Sequence, residues 1–315
     1  MKKILKQGVS ATVLAVLLTT AVGSDAAEEG KAKKSYNPQG AKVGSFVLLP
    51  KFQIDETYDS NIFKATTGDQ SDYITAYKPS VNLKSDWSSH SFSIDANGEV
   101  GQFLSSEDDD YEKYGFKANT RIDATKALTL NGSAGYKKGS EERGGDDVGT
   151  DAAAPVDNSN TTFNASMQYK PNRIGVKITG DYDKTDVDDN NTIAGATTNN
   201  DDRDRTDVKG EVRLGYDIKD EYEAFVKASY KNIDYNDPLD DAGANRDSTG
   251  YNIQGGLSIN LSGLVTAELG AGWLNQEFDD ATLTDVSGYA TNANIKWEMT
   301  KITTLKLNAD RAISE

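Results

Sequence analysis

The chain has one histidine, His90, and no cysteine. Without cysteine there is no thiolate nucleophile, no cysteine metal site, no disulfide and no lipid-bearing cysteine. His90 would have to supply any imidazole base alone. It falls between Ser85-Asp86-Trp87 and the next apolar run, where a solvated turn residue is expected rather than a catalytic one. Carboxylates are abundant, 50 Asp and Glu in 315 residues. A pair of them could hydrolyse a glycoside, yet no pair stands apart from the rest. The acids come in runs: Asp108 to Asp110, Asp146 and Asp147, Asp186 to Asp189, Asp201 to Asp204, and Asp279 and Asp280. Clustered carboxylates can hold Ca²⁺, but none of these runs has the glycine-containing spacing of a calcium loop. A hydrated surface is the better reading. No catalytic residue, cofactor or metal ligand is assigned.

The basic residues are placed differently. Lys113, Lys117 and Arg121 recur at intervals of four, as do Lys209 and Arg213, and Lys227 and Lys231. Lys177, Lys296 and Lys306 likewise interrupt alternating apolar runs. Residues two or four apart in a strand share a face. These ten cations therefore fall on the polar faces of strands, together with the acids Asp123, Asp181, Glu211 and Glu298. Such a face could line a passage, basic-leaning behind an acidic rim, that guides an anionic sugar polymer or small anions. It could also be a lattice of cross-strand ion pairs that stiffens a wall.

The elements that must hold these residues are strands. Phe52 and Ile54 alternate with Gln53 and Asp55, the alternation reaches Tyr58, and Asp59-Ser60-Asn61 makes a turn. That plan repeats through about thirteen strands of roughly 9 to 13 residues, long enough for a tilted membrane strand. Pro79 interrupts the second strand, and since proline cannot donate to a ladder a bulge is expected there. Short turns near 86, 125, 171, 219, 262 and 301 alternate with longer loops near 65, 107, 148, 194, 240 and 281. Outer-membrane barrels show this asymmetry, with short periplasmic turns and long external loops. A soluble sandwich has no reason for it and would need a richer Leu, Ile and Val core. Only 36% of residues are hydrophobic. Tyr58, Tyr111, Tyr136, Tyr182, Tyr230, Tyr251, Trp273 and Tyr289 are expected near the long loops, and Trp87, Tyr169, Tyr216, Tyr222 and Trp297 near the short turns. Two such belts suit the two membrane interfaces. The fold class is thus all-β, a transmembrane antiparallel up-and-down β-barrel.

Lys2, Lys3 and Lys6 precede an apolar run from Val9 to Val22, and small residues follow at Gly23, Ser24, Ala26 and Ala27. That is the layout of a secretory signal, and the run is too short for a membrane-spanning helix. Residues 1–26 are read as a signal peptide, 27–42 as a flexible periplasmic lead and 43–315 as the barrel domain. The net charge of −16 argues against nucleic acid as a partner.

VGSFVLLPKFQIDETYDSNIF and the SDYITAYKPSVNLKSDWSSHSFSIDANGEVGQF that follows it resemble the start of the putative β-barrel porin 2 family of Gram-negative outer-membrane proteins. The matching motif residues are Tyr58, Asp59, Asn61 and Ile62, with Ser60 a departure, then Pro79 within the Ile74 to Ser80 pattern and Trp87 after Ser85-Asp86. The likeness covers residues 43 to 103. It implies export or surface attachment of exopolysaccharide or capsule. The implied partners are outer-membrane lipid and lipopolysaccharide, periplasmic export components and an anionic polysaccharide. A general diffusion porin and a structural or adhesive surface barrel are the alternatives. The odd strand number and the ending Ile313-Ser314-Glu315 depart from such barrels, which have even strand numbers and usually end in an aromatic strand. C-terminal truncation, with a few strands missing from about 16 to 18, is the expectation.

Overall fold

A computed structural model describes residues 15–20, 40–65, 68–145, 147–261, 263–300 and 303–311. Most of the stretches read from the sequence as a signal peptide and a lead lies outside these residues, as do Thr66, Thr67, Asp146, Ser262, Lys301, Ile302 and the last four positions. Alternation along the sequence becomes an antiparallel ladder of thirteen long strands. They are β1 (Phe46–Asp59), β2 (Asp72–Ser85), β3 (His90–Phe103), β4 (Tyr111–Asp123), β5 (Leu128–Glu141), β6 (Val156–Tyr169) and β7 (Ile174–Val187). Then follow β8 (Arg205–Lys219), β9 (Tyr222–Tyr235), β10 (Ser248–Leu261), β11 (Val265–Phe278), β12 (Val286–Thr300) and β13 (Thr303–Arg311). Each pairs with its neighbours in chain order. Short strands flank the two ends: Ala41–Val43 lies beside β1 and Ala15–Thr20 beside β13. β1 and β13 do not pair with each other, so the sheet is not closed.

Register sets like against like across neighbouring strands. Across β5, β6, β7 and β8, Leu130 stands opposite Met167, Met167 opposite Ile178, and Ile178 opposite Val212. One residue along, Asn131 faces Ser166, Ser166 faces Thr179 and Thr179 faces Glu211. A slip of one position would exchange the faces. The apolar face is exposed: Phe52, Phe163, Val226 and Tyr289 each keep more than half of their surface. Buried apolar residues lie instead on the polar face, among them Ala76, Phe225, Ile233, Leu274 and Ala290. Curvature explains this inversion. Arg213 on β8 comes within 3.8 Å of Glu268 on β11, although three strand spacings amount to about 14 Å in a flat sheet. The sheet curls toward its polar side, which crowds that side and spreads the apolar one.

Three expectations change. At Pro79 there is no bulge: Tyr77 pairs with Val100 and Ser80 with Asn97 in one register, and the β2–β3 ladder lapses between them. Gly98 leaves room beside the proline ring. Register shifts occur instead in the short turns, at Asp217/Lys219 and Glu298/Thr300. Second, the strands overrun the upper aromatic belt. β5, β7, β9 and β11 continue five residues past Tyr136, Tyr182, Tyr230 and Trp273. Third, Tyr111 leaves the belt, because its parity puts it on the polar face, where its hydroxyl donates to Glu99 at 2.8 Å.

Candidate polar passage and its folded mouth

The outward face sets the frame for the inward one. From Leu128 to Tyr136, from Ile174 to Tyr182 and from Tyr222 to Tyr230, the lower edge of the apolar band and its upper aromatic together span nine residues. Eight steps of ~3.4 Å make about 27 Å along a strand, or ~20 Å of height at a ~40° tilt, close to the apolar band of a membrane barrel. Directly above, the same face turns polar, Tyr136 giving way to Lys138 and Tyr182 to Lys184. Lys138 pairs with Asp157 at 2.7 Å and Lys184 with Asp186 at 3.3 Å. The rings reinforce one another across strands, as in Tyr58 with Tyr73 (5.0 Å), Phe163 with Tyr182 (5.9 Å) and Phe116 with Tyr136 (6.1 Å).

All ten cations singled out in the sequence project from the inward face, by their register opposite other inward residues. They do not act alike. Lys177, Arg213 and Lys227 form one row across β7, β8 and β9. Arg213 pairs with Glu223, and Lys227 reaches Glu268 at 3.7 Å. Arg121 pairs with Asp123 (3.0 Å), Lys209 with Glu211 (3.7 Å), Lys231 with Asp207 (2.8 Å) and Lys296 with Glu298 (2.6 Å). Lys113 lies 4.3 Å from the centre of the Tyr111 ring. Lys117, Lys177 and Lys306 have no ion pair among the described residues. The sequence reading missed Lys51, Lys78, Lys84 and Lys137 on this face, and the acids Asp55, Asp95, Glu99, Asp207, Glu223 and Glu268. Lys78 alone joins Asp55 (3.1 Å) and Glu99 (3.5 Å) across three strands. With these acids in place the named wall residues are fourteen cations against ten acids, still basic-leaning; Lys78, Arg213, Lys227 and Lys231 are paired across strands, while Arg121, Lys209 and Lys296 pair with an acid two residues along their own strand.

Three of the family-motif residues, Asp59, Asn61 and Ile62, build the mouth. Asp59 accepts the Asn61 amide at 2.8 Å. The Asn61 side chain donates to the Ala65 carbonyl and accepts the Ala65 N–H. Ile62 is buried, and its N–H donates to the Gln70 carbonyl at 2.9 Å. This turn presents Phe63, whose ring lies 4.2 Å from the Arg143 guanidinium. Arg143 makes a two-pronged pair with Asp109, and both are more than nine-tenths buried. A third hydrogen bond runs from Arg143 to the Ala152 carbonyl at 3.2 Å. Gly144 has φ +72°, and a Cβ there would lie 2.0 Å from the Phe63 carbonyl oxygen, so only glycine lets these two loops meet. Val148 and Ala152 then pack on Val156 and Val187, which point inward from β6 and β7. The 142–155 loop is thus folded over the passage side, with Arg203 holding Glu141 at 2.8 Å beside it. At the opposite end Trp87 donates to Ser45 at 3.2 Å and meets Phe46 edge-on.

The acidic runs divide. Asp109 is structural, and so is Asp204, which accepts the Val187 N–H at 2.7 Å while burial pushes its carboxyl above the usual range. Asp201 is also raised, chiefly by repulsion from Asp189. Asp280 is lowered by the Thr282 N–H it accepts. In the turn after β6, the hydrogen bond to Asp217 raises the Lys170 ammonium, which also contacts Glu223. His90 begins β3 and accepts the Asp123 N–H at 3.1 Å through Nδ1, tying a short turn to the neighbouring strand. No cluster of metal-ligating side chains occurs among the described residues.

A membrane-height apolar band on one face and a polar wall on the other agree with the sequence match, which pairs residues 34–315 with the family described as putative β-barrel porin 2. The chain belongs to that family. The match extends far beyond the 43 to 103 stretch in which the motifs are legible. It makes the sheet that of a porin-like outer-membrane β-barrel. No curated protein matches the sequence. Among solved structures, the translocator domain of the autotransporter NalP from Neisseria meningitidis overlays with a TM-score of 0.33 at 12% identity, covering 84% of this chain and 87% of that one. The outer membrane protein OprD from Pseudomonas aeruginosa overlays at 0.26 and 9%, with 84% and 92% covered. The Pseudomonas putida toluene transporter TodX gives 0.35 and 8%, with 86% and 80% covered. The family assignment rests on the sequence match alone.

Proposed function

We propose that this protein is a non-catalytic outer-membrane channel for hydrophilic, hydroxyl-rich material, and that its cargo is an exopolysaccharide or capsule polymer on its way to the cell surface. The observation that carries this reading is the inward wall, a continuous field of Asn, Gln, Ser and Thr crossed by ion pairs, opposite an apolar band of membrane height. A wall whose charges are largely paired holds few strong traps for a passing polymer, and its amides and hydroxyls can exchange hydrogen bonds with sugar hydroxyls in turn. Residues 1–26 serve as the export signal, and residues 27–42 as a lead toward periplasmic export components. Lys117, Lys177 and Lys306 are the positions we assign to contact with acidic sugars.

Deleting the gene and measuring secreted and surface-bound polysaccharide tests the cargo. A large loss that the full-length gene restores is expected. Unchanged polysaccharide, with altered uptake of small solutes, would give the role to a general diffusion porin. Unchanged polysaccharide and unchanged uptake would leave a structural or adhesive barrel.

A further inference from the structure

The inward face of β10, β11 and β12 differs from the rest of the wall. Here glycines replace side chains: Gly256 stands opposite Gly270, and Gln254 opposite Gly272. Gly270 in turn faces Asn292. A Cβ on Gly270 would lie 2.3 Å from the side-chain oxygen of Asn292 and 3.4 Å from that of Gln254, so both oxygens converge on the space above this glycine. Neither oxygen has a hydrogen-bond partner among the described residues, although both are buried, and Gln254 keeps only 5% of its surface. Asn252 Oδ1, one row nearer the external loops, is buried and unpartnered in the same way.

Elsewhere among the described residues no side-chain amide oxygen is both buried and unpartnered, and wall amides such as Asn164 and Asn160 donate to Asp181 and Asp183. Buried acceptors without donors are costly and call for an explanation. The surroundings hold these ones in place. Asn292 Nδ2 donates to Glu268 at 3.4 Å, Glu268 is gripped by Arg213 and Lys227, and Phe225 lies under the Arg213 guanidinium at 4.3 Å. The strip continues into an open groove of about 330 Å³ lined by Ser258, Asn260, Glu268, Asn294, Lys296 and Lys306.

We propose that Gln254, Asn292 and Asn252, over the floor made by Gly270, form a saccharide-binding strip in which amide oxygens accept hydrogen bonds from sugar hydroxyls. Glycine keeps the floor low enough for a pyranose ring to approach the backbone, and the groove beyond it takes the next residue of a chain. The nearest cations are committed to Glu268 and Glu223, so the strip reads hydroxyl donors rather than sugar charge. The inference rests on the inward face being the wall of an aqueous passage.

The probe is maltohexaose, a neutral hydroxyl-rich hexamer, titrated calorimetrically into the full chain refolded in detergent micelles. Ion conductance of the same preparations is recorded in planar bilayers. Wild type should bind saturably. Gln254→Leu and Asn292→Leu should each weaken binding by about tenfold, the scale of losing one well-made hydrogen bond to a buried group. Gly270→Ala, whose methyl meets only movable side-chain ends, should do the same while keeping strand content by circular dichroism. Asn131→Leu, on the same face but with its Nδ2 donating to Ser166 and no buried unpartnered oxygen, should bind as wild type does. Absence of saturable binding in a conducting wild type, or equal weakening in Asn131→Leu, overturns the strip and leaves the channel standing. A wild type that binds but does not conduct would instead overturn the passage reading.

Discussion

The two faces of this sheet are built by different rules. On the outward face Leu130, Met167, Ile178 and Val212 follow one another across four strands, and any residue of similar hydropathy would serve, since lipid asks only that no polar group be left bare. On the inward face identity matters. Arg143 fits Asp109, Phe63 and the Ala152 carbonyl at once, and Glu268 joins side chains from three other strands. The difference teaches where sequence change is tolerated: one face is specified by class, the other by partner.

Disturbing the best-specified inward contact should have the largest effect. Arg143→Met leaves Asp109 buried without its cation, at a cost of about 3 to 5 kcal/mol to the folded mouth. Proteolysis within the 142–155 loop should rise sharply while the transmembrane strands stay protected. Arg143→Lys should fail too, because one ammonium cannot serve both carboxylate oxygens and the carbonyl. The outward face breaks by class instead. Ile178→Arg, in the middle of the band, should cost about 2 to 4 kcal/mol in vesicle unfolding. Ile178→Leu should be nearly silent, and so should Thr179→Arg on the other face. Equal costs for the two arginines would contradict the comparison.

Smaller effects belong to the ends. Lys170→Met removes the cation shared by Asp217 and Glu223 and should cost about 1 kcal/mol, reduced by partial exposure, in urea unfolding. Asp201 should show the weakest effect and a definite sign. Its folded-state pKa is raised, so its protonated form favours the folded 188–204 loop. That contribution is complete below the ordinary aspartate range and fades as pH rises through the raised value. Asp201→Asn should therefore slow cleavage of this loop at neutral pH and change little in strong acid. A variant cut faster at pH 7 would reverse the assignment.

Most of the sheet was legible because period-two alternation is strong wherever one face meets lipid. The strand ends were not. Above Tyr136 and Tyr182 both faces are polar, so the alternation vanishes while the ladder continues to Glu141 and Val187. Tyr111 was placed on the belt because a tyrosine suits either environment, and only its parity with Lys113 shows the side it takes. Asp109 looked like one member of a solvated run. Its partner Arg143 stands 34 residues away, and nothing local announces the pairing. The further acids of the wall were overlooked for a related reason, since cross-strand partners such as Arg213 and Glu268 meet only once the sheet curls.

The absence of native cysteine permits a direct test of the two-faced sheet. Single cysteines would be placed one at a time from Ile174 to Val187 in the full chain, reconstituted into vesicles and exposed to a membrane-impermeant maleimide. Labelling should alternate with period two up to Tyr182, with Lys177, Thr179 and Asp181 reactive and Val176, Ile178 and Gly180 protected. From Asp183 to Asp186 successive positions should all react, where the strand has left the membrane, while Val187, packed against Val148 and Ala152, stays protected. Uniform labelling along the whole strand, or protection of Thr179 and exposure of Ile178, would contradict the account.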